Sequence, residues 1–371
     1  MREGWTYKKL NEVCDKGSSN IVINKLEDNN GEFPLYGASG LVKNVDFYHQ
    51  DKPYIGIVKD GAGVGRVNTY PAFSSLVGTM QYIFAKEDCL LDYIKYFLVK
   101  LDLSHCVSGA TIPHIYFKDY GKERIPVPSL SEQQSIVAEL DKINELISLK
   151  KAQLSDLDSL AQSIFYDMFG DPIENEKGWE VKKLDSIYKV TSSKRVFQEE
   201  WKTEGIPFYK VADIVSLIND EKVIPNTFIT EAKYNELKLQ SLVPNTGDIL
   251  VTSRGTLGQC YIVKADDQFY FQDGMITWLS AKKVGISPIY IKMLFKTESF
   301  LNSLLQKANI STVAYLSINQ LANRFIPIPP LPLQQEFAKR IELIEQQKAQ
   351  ISSTIKDLET LLASRMQYWF D

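Results

Sequence analysis

The sequence is poor in the residues that build metal centres and disulfide scaffolds. Among 371 residues it has only four cysteines, never in CxxC spacing, and three histidines that form no cluster. These residues are Cys14, Cys89, Cys106, Cys260, His49, His105 and His114. Zinc sites and disulfide networks need such side chains at short, regular spacing, so we expect neither. We expect the protein in a reducing compartment.

Long hydrophobic runs are also missing. No stretch approaches the ~20 apolar residues of a membrane span. The N-terminal Met-Arg-Glu-Gly-Trp-Thr lacks the apolar core of a secretion signal. The net charge is only −4, from 42 basic and 46 acidic residues. We therefore expect a cytoplasmic protein that has no membrane partner.

Familiar catalytic motifs do not occur either. The glycine-rich run from Gly61 to Arg66 lacks the Gly-Lys-Ser/Thr of a phosphate-binding loop, and we interpret it as a tight turn between strands. The sequence contains no Gly-x-Ser-x-Gly, no HExxH and no Asp/Asn-Pro-Pro-Tyr segment of the kind that amino-methyltransferases use. We predict that this chain is not an enzyme and binds no cofactor itself.

The strongest positive signal is a repeat that covers the whole chain. Its matched pairs, in order, are Gly4-Trp5 with Gly178-Trp179, Lys8-Lys9-Leu10 with Lys182-Lys183-Leu184, Gly65 with Gly258, Tyr93-Ile94-Lys95 with Tyr290-Ile291-Lys292, Ile125-Pro126 with Ile326-Pro327, Gln133-Gln134 with Gln334-Gln335, and Phe169 with Phe370. The second copy has about 20 additional residues, between Tyr209 and Gly258. Each half is therefore one globular domain followed by a common terminal element.

The terminal elements have the apolar spacing of a coiled coil. In the first copy the seam steps by four and three residues from Ile136 to Met168, and in the second from Phe337 to Trp369. We predict an α+β protein in which two similar mixed α/β domains, residues 1–130 and 172–330, are joined by two long antiparallel helices, residues 131–171 and 331–371. Pseudo-two-fold closure within one chain is the simplest arrangement, and an intermolecular coiled coil is the competitor.

Smaller motifs suggest single helices and loop contacts. Residues 90–103 and 288–305 are predicted to form one amphipathic helix each, and Ser131 with Gln134 fits a capping box. Hydroxyl and basic residues in the predicted loops are candidates for contacts with DNA. These candidates are Lys59, Arg66, Ser108, Thr111, Lys194, Arg195, Ser253, Arg254, Thr256 and Thr312. Two alternatives stay open: Lys194-Arg195 as a solvated face, and the Ser/Thr loops as helix caps.

At this point the sequence resembles a known family, the specificity subunit of Type I restriction–modification enzymes. The resemblance lies in the paired Gly-Trp…Lys-Lys-Leu domain starts, the Ser-Gly-x-Thr-like loops and the double Ile-Pro-hydrophobic-Pro entry into a Gln-Gln helix. It implies two target recognition domains, each reading one half of a bipartite, asymmetric site in double-stranded DNA. It also implies that the helices space the half-sites and bind methyltransferase subunits, of which two are expected.

The resemblance further implies which chemistry belongs to the partners. Restriction subunits join the complex, and S-adenosylmethionine, ATP and Mg²⁺ are expected on partner subunits rather than on this chain. The alternative from another class is a duplicated scaffold protein that assembles through its coiled coil and does not bind DNA.

Overall fold

The computed structural model describes residues 4–109, 111–219, 223–280, 282–283, 285–305 and 315–371. The chain divides into two compact units. Unit 1 contains Met1–Ala152 and Ile351–Asp371, and unit 2 contains residues 153–350. The division falls inside both long helices, so each unit includes a segment of each helix.

The described residues of unit 1 form three small sheets. Its strands are β1 (Thr6–Lys9), β2 (Cys14–Ser18), β3 (Phe33–Gly37), β4 (Gly40–Val45), β5 (Tyr54–Val58), β6 (Val67–Tyr70), β7 (Ser75–Leu76), β8 (Met80–Ala85) and β9 (Arg124–Val127). Its helices are α1 (Leu10–Val13), α2 (Leu91–Leu101), α3 (Phe117–Tyr120) and the first part of α4 (Leu130–Phe169). The antiparallel sheet has the order β2-β8-β5-β6, the second sheet β4-β3-β7, and β1 pairs with β9. Every residue of β5 is buried, because this strand lies inside its sheet and under α2.

Unit 2 repeats this topology strand for strand. Its strands are β10 (Glu180–Lys183), β11 (Lys189–Thr191), β12 (Ile206–Tyr209), β13 (Phe228–Ile229), β14 (Ile249–Thr252), β15 (Cys260–Ile262), β16 (Tyr270–Phe271), β17 (Ile276–Ser280) and β18 (Phe325–Ile328). Its helices are α5 (Leu184–Ile187), α6 (Val211–Ile218), α7 (Glu231–Leu239), α8 (Pro288–Lys296), α9 (Glu298–Leu305), α10 (Ile318–Ala322) and the first part of α11 (Leu331–Phe370). The last part of α4 also belongs to unit 2, and the last part of α11 belongs to unit 1. The sheets are β11-β17-β14-β15, β13-β12-β16 and β10-β18. The additional residues of the second copy contain α6 and α7, which surround β13.

The repeat extends to individual hydrogen bonds. Tyr93 in α2 donates its hydroxyl to the carbonyl oxygen of Pro126 at 2.9 Å, and Tyr290 in α8 donates to Pro327 at the same distance. Both tyrosines are fully buried. The same residue pair therefore ties the late helix of each unit to the strand that leads into its long helix, which confirms the predicted two-domain repeat.

The two long helices pair antiparallel within each unit. All predicted seam positions in α4 and α11 are buried or half-buried. In unit 1 Lys151 of α4 forms an ion pair with Glu359 of α11 at 3.0 Å, and in unit 2 Lys348 of α11 pairs with Asp158 of α4 at 2.8 Å. The residue number falls along one helix as it rises along the other, so the predicted antiparallel pairing is confirmed within one chain.

Each long helix ends in the core of a unit. Phe370 of α11 packs against Tyr93 in unit 1, with ring centroids 5.1 Å apart, and Phe169 of α4 packs against Tyr290 in unit 2 at 4.9 Å. Aromatic pairs of this kind stabilise a fold by ~0.5–1.5 kcal/mol beyond the buried area. The repeated phenylalanine of the sequence thus anchors the helix ends.

Two local predictions were wrong. The segment predicted as one helix over residues 288–305 consists of α8 and α9, because Thr297 is extended (φ −68°, ψ 138°) and its hydroxyl donates to the carbonyl of Leu294 at 2.7 Å. The capping box of α4 involves Ser129 and Glu132 rather than Ser131 and Gln134. The Glu132 carboxylate accepts both the N–H of Ser129, at 3.1 Å, and its hydroxyl, at 2.9 Å.

Candidate nucleic-acid interface

In unit 1 the glycine-rich run is the hairpin loop between β5 and β6. The N–H of Val58 donates to the carbonyl of Arg66 at 3.0 Å, and the N–H of Gly65 donates to the carbonyl of Val58 at 2.8 Å. Gly61, Gly63 and Gly65 all have positive φ, between +85° and +88°. Side-chain-bearing residues are strained in this region, so the loop needs glycine at these points. The predicted turn is confirmed.

A second segment lies against this loop and carries two more candidate residues. The N–H of Ile115 donates to the carbonyl of Lys59 at 2.9 Å, and Ser108 and His114 exchange two backbone hydrogen bonds of 2.9 and 2.8 Å. The structure therefore brings Lys59, Arg66 and Ser108 to one end of the unit 1 sheet. Thr111 is exposed at the tip of the same segment.

Unit 2 builds the same frame from different residues. The N–H of Thr252 donates to the carbonyl of Gln259 at 2.9 Å, and the N–H of Gly258 donates to the carbonyl of Thr252 at 2.8 Å. The N–H of Leu316 then donates to the carbonyl of Ser253 at 3.0 Å, as Ile115 does to Lys59. Gly258 thus holds the place of Gly65, as the repeat indicated.

These backbone bonds align the two loops residue by residue. The corresponding pairs are Lys59 with Ser253, Asp60 with Arg254, Arg66 with Gln259, and His114 with Tyr315. Arg66 and Arg254, both predicted to lie in loops, therefore lie at opposite ends of equivalent loops. The loop in unit 2 is one residue shorter than the loop in unit 1.

The basic candidates of unit 1 are partly held by neighbouring groups. Arg66 is exposed, and its Nη1 donates to the carbonyl of Ala38, in the turn between β3 and β4, at 2.8 Å. The Lys59 ammonium lies 3.8 Å from the Asp60 carboxylate, and both side chains are half-exposed. Neither side chain is buried, so both remain accessible to a phosphate or a base edge.

In unit 2, Lys194 and Arg195 lie beside the turn that precedes β17. The Arg195 Nε donates to the Asp273 carboxylate at 2.8 Å, and the Lys194 backbone exchanges two 2.9 Å hydrogen bonds with the Tyr270 hydroxyl. The same turn supplies the Met275 carbonyl, which accepts the N–H of Ser253 at 2.9 Å. The structure therefore brings the Lys194-Arg195 pair and the Ser253-Arg254 pair to one turn.

The remaining candidates of unit 2 differ in accessibility. Ser253 is only 1% exposed, and its hydroxyl bonds to the Thr277 hydroxyl at 2.7 Å, so this side chain belongs to the interior. Thr256 is exposed, and its carbonyl accepts the Thr252 hydroxyl. Arg254 is exposed, and its side chain has no hydrogen bond or ion pair with any residue that the structure describes. Thr312 lies outside the described residues.

Sequence reasoning missed the acidic and aromatic neighbours of these loops. Asp60, Asp273, His114 and Tyr315 all border the candidate surface, yet none is among the predicted residues, because basic and hydroxyl side chains are the usual donors to phosphate. The sequence does contain a signal for Asp60. It lies two residues after the buried strand β5, and the predicted residue Arg254 lies two residues after the matching strand β14. Within the described ranges, no group of three or more His, Cys, Asp or Glu side chains is arranged to hold a metal ion.

Comparison with known proteins places this geometry in a family. The family described as "Type I restriction modification DNA specificity domain" matches residues 2–158 and 176–360, which is most of the chain in two copies. The chain belongs to this family. Its two matched regions are thus two DNA specificity domains, and they correspond to the repeated halves of the sequence.

Relatives of this chain carry names that agree with the family match. The Type I restriction enzyme MjaIX specificity subunit of Methanocaldococcus jannaschii is 26% identical over 281 residues, which are 70% of this chain and 63% of that relative, less than two thirds of its length. The putative type I restriction enzyme specificity subunit S.HindORF215P of Haemophilus influenzae is 24% identical over 353 residues, 91% of this chain and 87% of the relative. These relatives are specificity subunits by name.

A solved structure supports the fold of this specificity protein. The S subunit of a Type-I restriction-modification system from M. genitalium superimposes with a TM-score of 0.57 at 16% identity, covering 99% of this chain and 96% of that one. At this identity the likeness concerns the fold alone. No helix among the described residues is long and apolar enough to cross a membrane.

Proposed function

We propose that this chain is the DNA-recognition subunit of a Type I restriction–modification complex. Each unit reads one half of a bipartite, asymmetric DNA site through the loop that follows its central strand, β5 or β14. The observation that carries the proposal is the repeated loop frame of the two specificity domains, with the same backbone hydrogen bonds and different side chains. A common frame with different side chains is what two similar readers of two different sequences need.

The two units differ most around β3-β4 in unit 1 and the corresponding β12-β13 in unit 2, where additional helices would enlarge the DNA-contacting surface of unit 2. The turn between β3 and β4 in unit 1 is tight, and its Ala38 carbonyl accepts Arg66. In unit 2 the corresponding β12 and β13 are separated by α6, and α7 follows β13. This difference supports half-sites of unlike sequence rather than two copies of one palindromic half.

The partners we propose are methyltransferase subunits, two per complex, together with restriction subunits and double-stranded DNA. The long helices offer them apolar side chains outside the seam: Leu149 is 56% and Leu343 61% exposed. Because the chain has a net charge of −4, phosphate contacts of its own give weak affinity, and the partners supply the remaining attraction. S-adenosylmethionine, ATP and Mg²⁺ belong to those subunits, this chain is not catalytic, and the complex works in the cytoplasm.

The test is to co-express the full chain with the methyltransferase subunit of its own system and to map methylated bases by sequencing genomic DNA. We expect one discontinuous motif made of two different half-sequences. Replacing residues 1–123 by the equivalent part of a related specificity protein should change one half-sequence only. Co-purification without any sequence-specific methylation would favour a scaffold, and methylation by the chain alone would reveal an enzyme.

A further inference from the structure

We propose that one matched position, Asp60 in unit 1 and Arg254 in unit 2, reads a base in each half-site. Asp60 accepts a hydrogen bond from the exocyclic amino group of cytosine, and Arg254 donates two hydrogen bonds to guanine. The inference rests on the proposed function, because it assumes that these loops face the major groove of DNA.

The equivalence of the two residues follows from the backbone around them. Both come second after the last residue of the central strand, Val58 or Thr252, whose carbonyl accepts the glycine N–H that closes the loop. Both also form an isolated antiparallel bridge to the neighbouring segment, Asp60 with His114 and Arg254 with Tyr315. The two side chains therefore leave equivalent points of one frame.

The charge of Asp60 restricts what this position can contact. A carboxylate is repelled by phosphates, so Asp60 has no favourable partner on the DNA backbone. Its side chain is nevertheless 39% exposed, in a loop whose other charged residues are Lys59 and Arg66. Lys59, at 3.8 Å, offsets part of the negative charge and suits a phosphate beside the groove. Among base edges in the major groove, a carboxylate is complementary to the amino group of cytosine.

Arg254 is the matching donor in unit 2. Arg195 is engaged by Asp273 at 2.8 Å and Arg66 by the Ala38 carbonyl at 2.8 Å, whereas the Arg254 guanidinium has no partner among the described residues. No described residue occupies its N–H groups, and the planar fork of arginine matches O6 and N7 of guanine. Its neighbour Ser253 is buried and holds the backbone at this point.

A reversal of charge at one matched position has a direct consequence for specificity. If the two loops approach DNA in the same way, the position in unit 1 selects an amino group and the position in unit 2 selects its acceptors. Neither side chain satisfies the other's base, so the two positions select opposite orientations of a G·C pair relative to their loops. The asymmetry of the whole site then depends on two residues as well as on the additional helices of unit 2.

The experiment uses the complex of the full chain with its methyltransferase and maps the methylated motif of Asp60→Ala, Asp60→Asn and Arg254→Ala. We expect Asp60→Ala to reduce the discrimination between bases at one position of one half-site by about 5- to 100-fold. The other half-site should stay unchanged. Arg254→Ala should do the same in the other half-site. Asp60→Asn keeps one acceptor oxygen and should lose less discrimination than the alanine variant.

Two control variants change charges in the same two hairpins, β5-β6 and β14-β15, at the end opposite to the loop. Asp51→Asn lies before β5 and Lys264→Ala follows β15, and both residues are exposed; neither should alter the motif. An unchanged motif in the Asp60 and Arg254 variants, or an equal loss of methylation at all sequences, overturns the inference while the wild-type motif stands. Absence of a bipartite motif in the wild-type complex overturns the proposed function instead. Unchanged melting of the purified variants shows that each one is folded.

Discussion

Gln133 of α4 and Gln334 of α11 make the same pair of side-chain hydrogen bonds in their two units. The Oε1 of Gln133 accepts the N–H of Leu90 at 2.9 Å, and its Nε2 donates to the carbonyl of Pro128 at 3.0 Å. Gln334 accepts from Ser287 at 2.9 Å and donates to Pro329 at 2.7 Å. Both glutamines are completely buried. One side chain thus connects the start of each late helix to the start of the following long helix.

This contact predicts a clear difference between neighbouring glutamines. Gln133→Ala leaves the half-buried N–H of Leu90 and the buried carbonyl of Pro128 without this partner, so it should lower the free energy of unfolding by about 1–3 kcal/mol. Gln134 is exposed, and Gln134→Ala should change the free energy of unfolding by less than about 0.5 kcal/mol. Chemical denaturation of the two variants tests this. Equal stability of both would contradict a structural role for the repeated contact.

The same pair shows what could be predicted from the sequence and what could not. The Gln-Gln repeat, the seam and the order of the halves are periodic or local, so they were visible in the sequence. The sequence did not show that Gln133 is buried and Gln134 exposed, because that depends on Pro128 and Leu90, which meet only in the fold. For the same reason the sequence does not show that Arg66 and Arg254 lie at opposite ends of equivalent loops. Their true positions depend on backbone bonds to residues near Ile115 and Leu316, far along the chain.

A buried carboxylate in unit 2 predicts a pH-dependent effect. Asp248 accepts the indole N–H of Trp278 at 2.9 Å and the N–H of Asn245 at 2.9 Å. Burial raises the pKa of Asp248 above its ordinary value of 3.8, whereas these two hydrogen bonds lower it. A raised pKa in the folded state means that stability falls as the pH rises from 3.8 through the folded pKa.

Trp278→Phe removes one of the two donors and should raise the pKa of Asp248 further. The variant should therefore lose about 1–3 kcal/mol at pH 7, and less at pH 3.8, the ordinary value that the folded pKa exceeds, where protonation relieves much of the cost. Denaturation curves of wild type and variant at both pH values measure this. A loss that does not depend on pH would mean that only the packing of the indole matters.

Substitution of Arg66 should affect DNA binding differently from substitution of Asp60. Its guanidinium is exposed at the edge of the loop and is positioned by the Ala38 carbonyl, which suits a phosphate contact. Arg66→Ala in the assembled complex should weaken binding to all sequences alike and reduce the slope of log affinity against log salt by about one. The methylated motif should stay unchanged. Relaxation of a single base pair would instead assign Arg66 to base reading.

The last prediction concerns how the long helices bind their partners. Leu149 in unit 1 and Leu343 in unit 2 are more than half exposed, although they lie on helices whose seams are filled. If they dock methyltransferase subunits, Leu149→Gln and Leu343→Gln should each reduce the methyltransferase that co-purifies, without lowering the melting temperature of the isolated chain. Leu239→Gln is the matched control, because Leu239 is 89% exposed on α7, outside the long helices. With one docking surface per unit, each single variant should retain about half of the bound partner and the double variant almost none. Full retention in the double variant would show that the methyltransferase contacts another part of the chain.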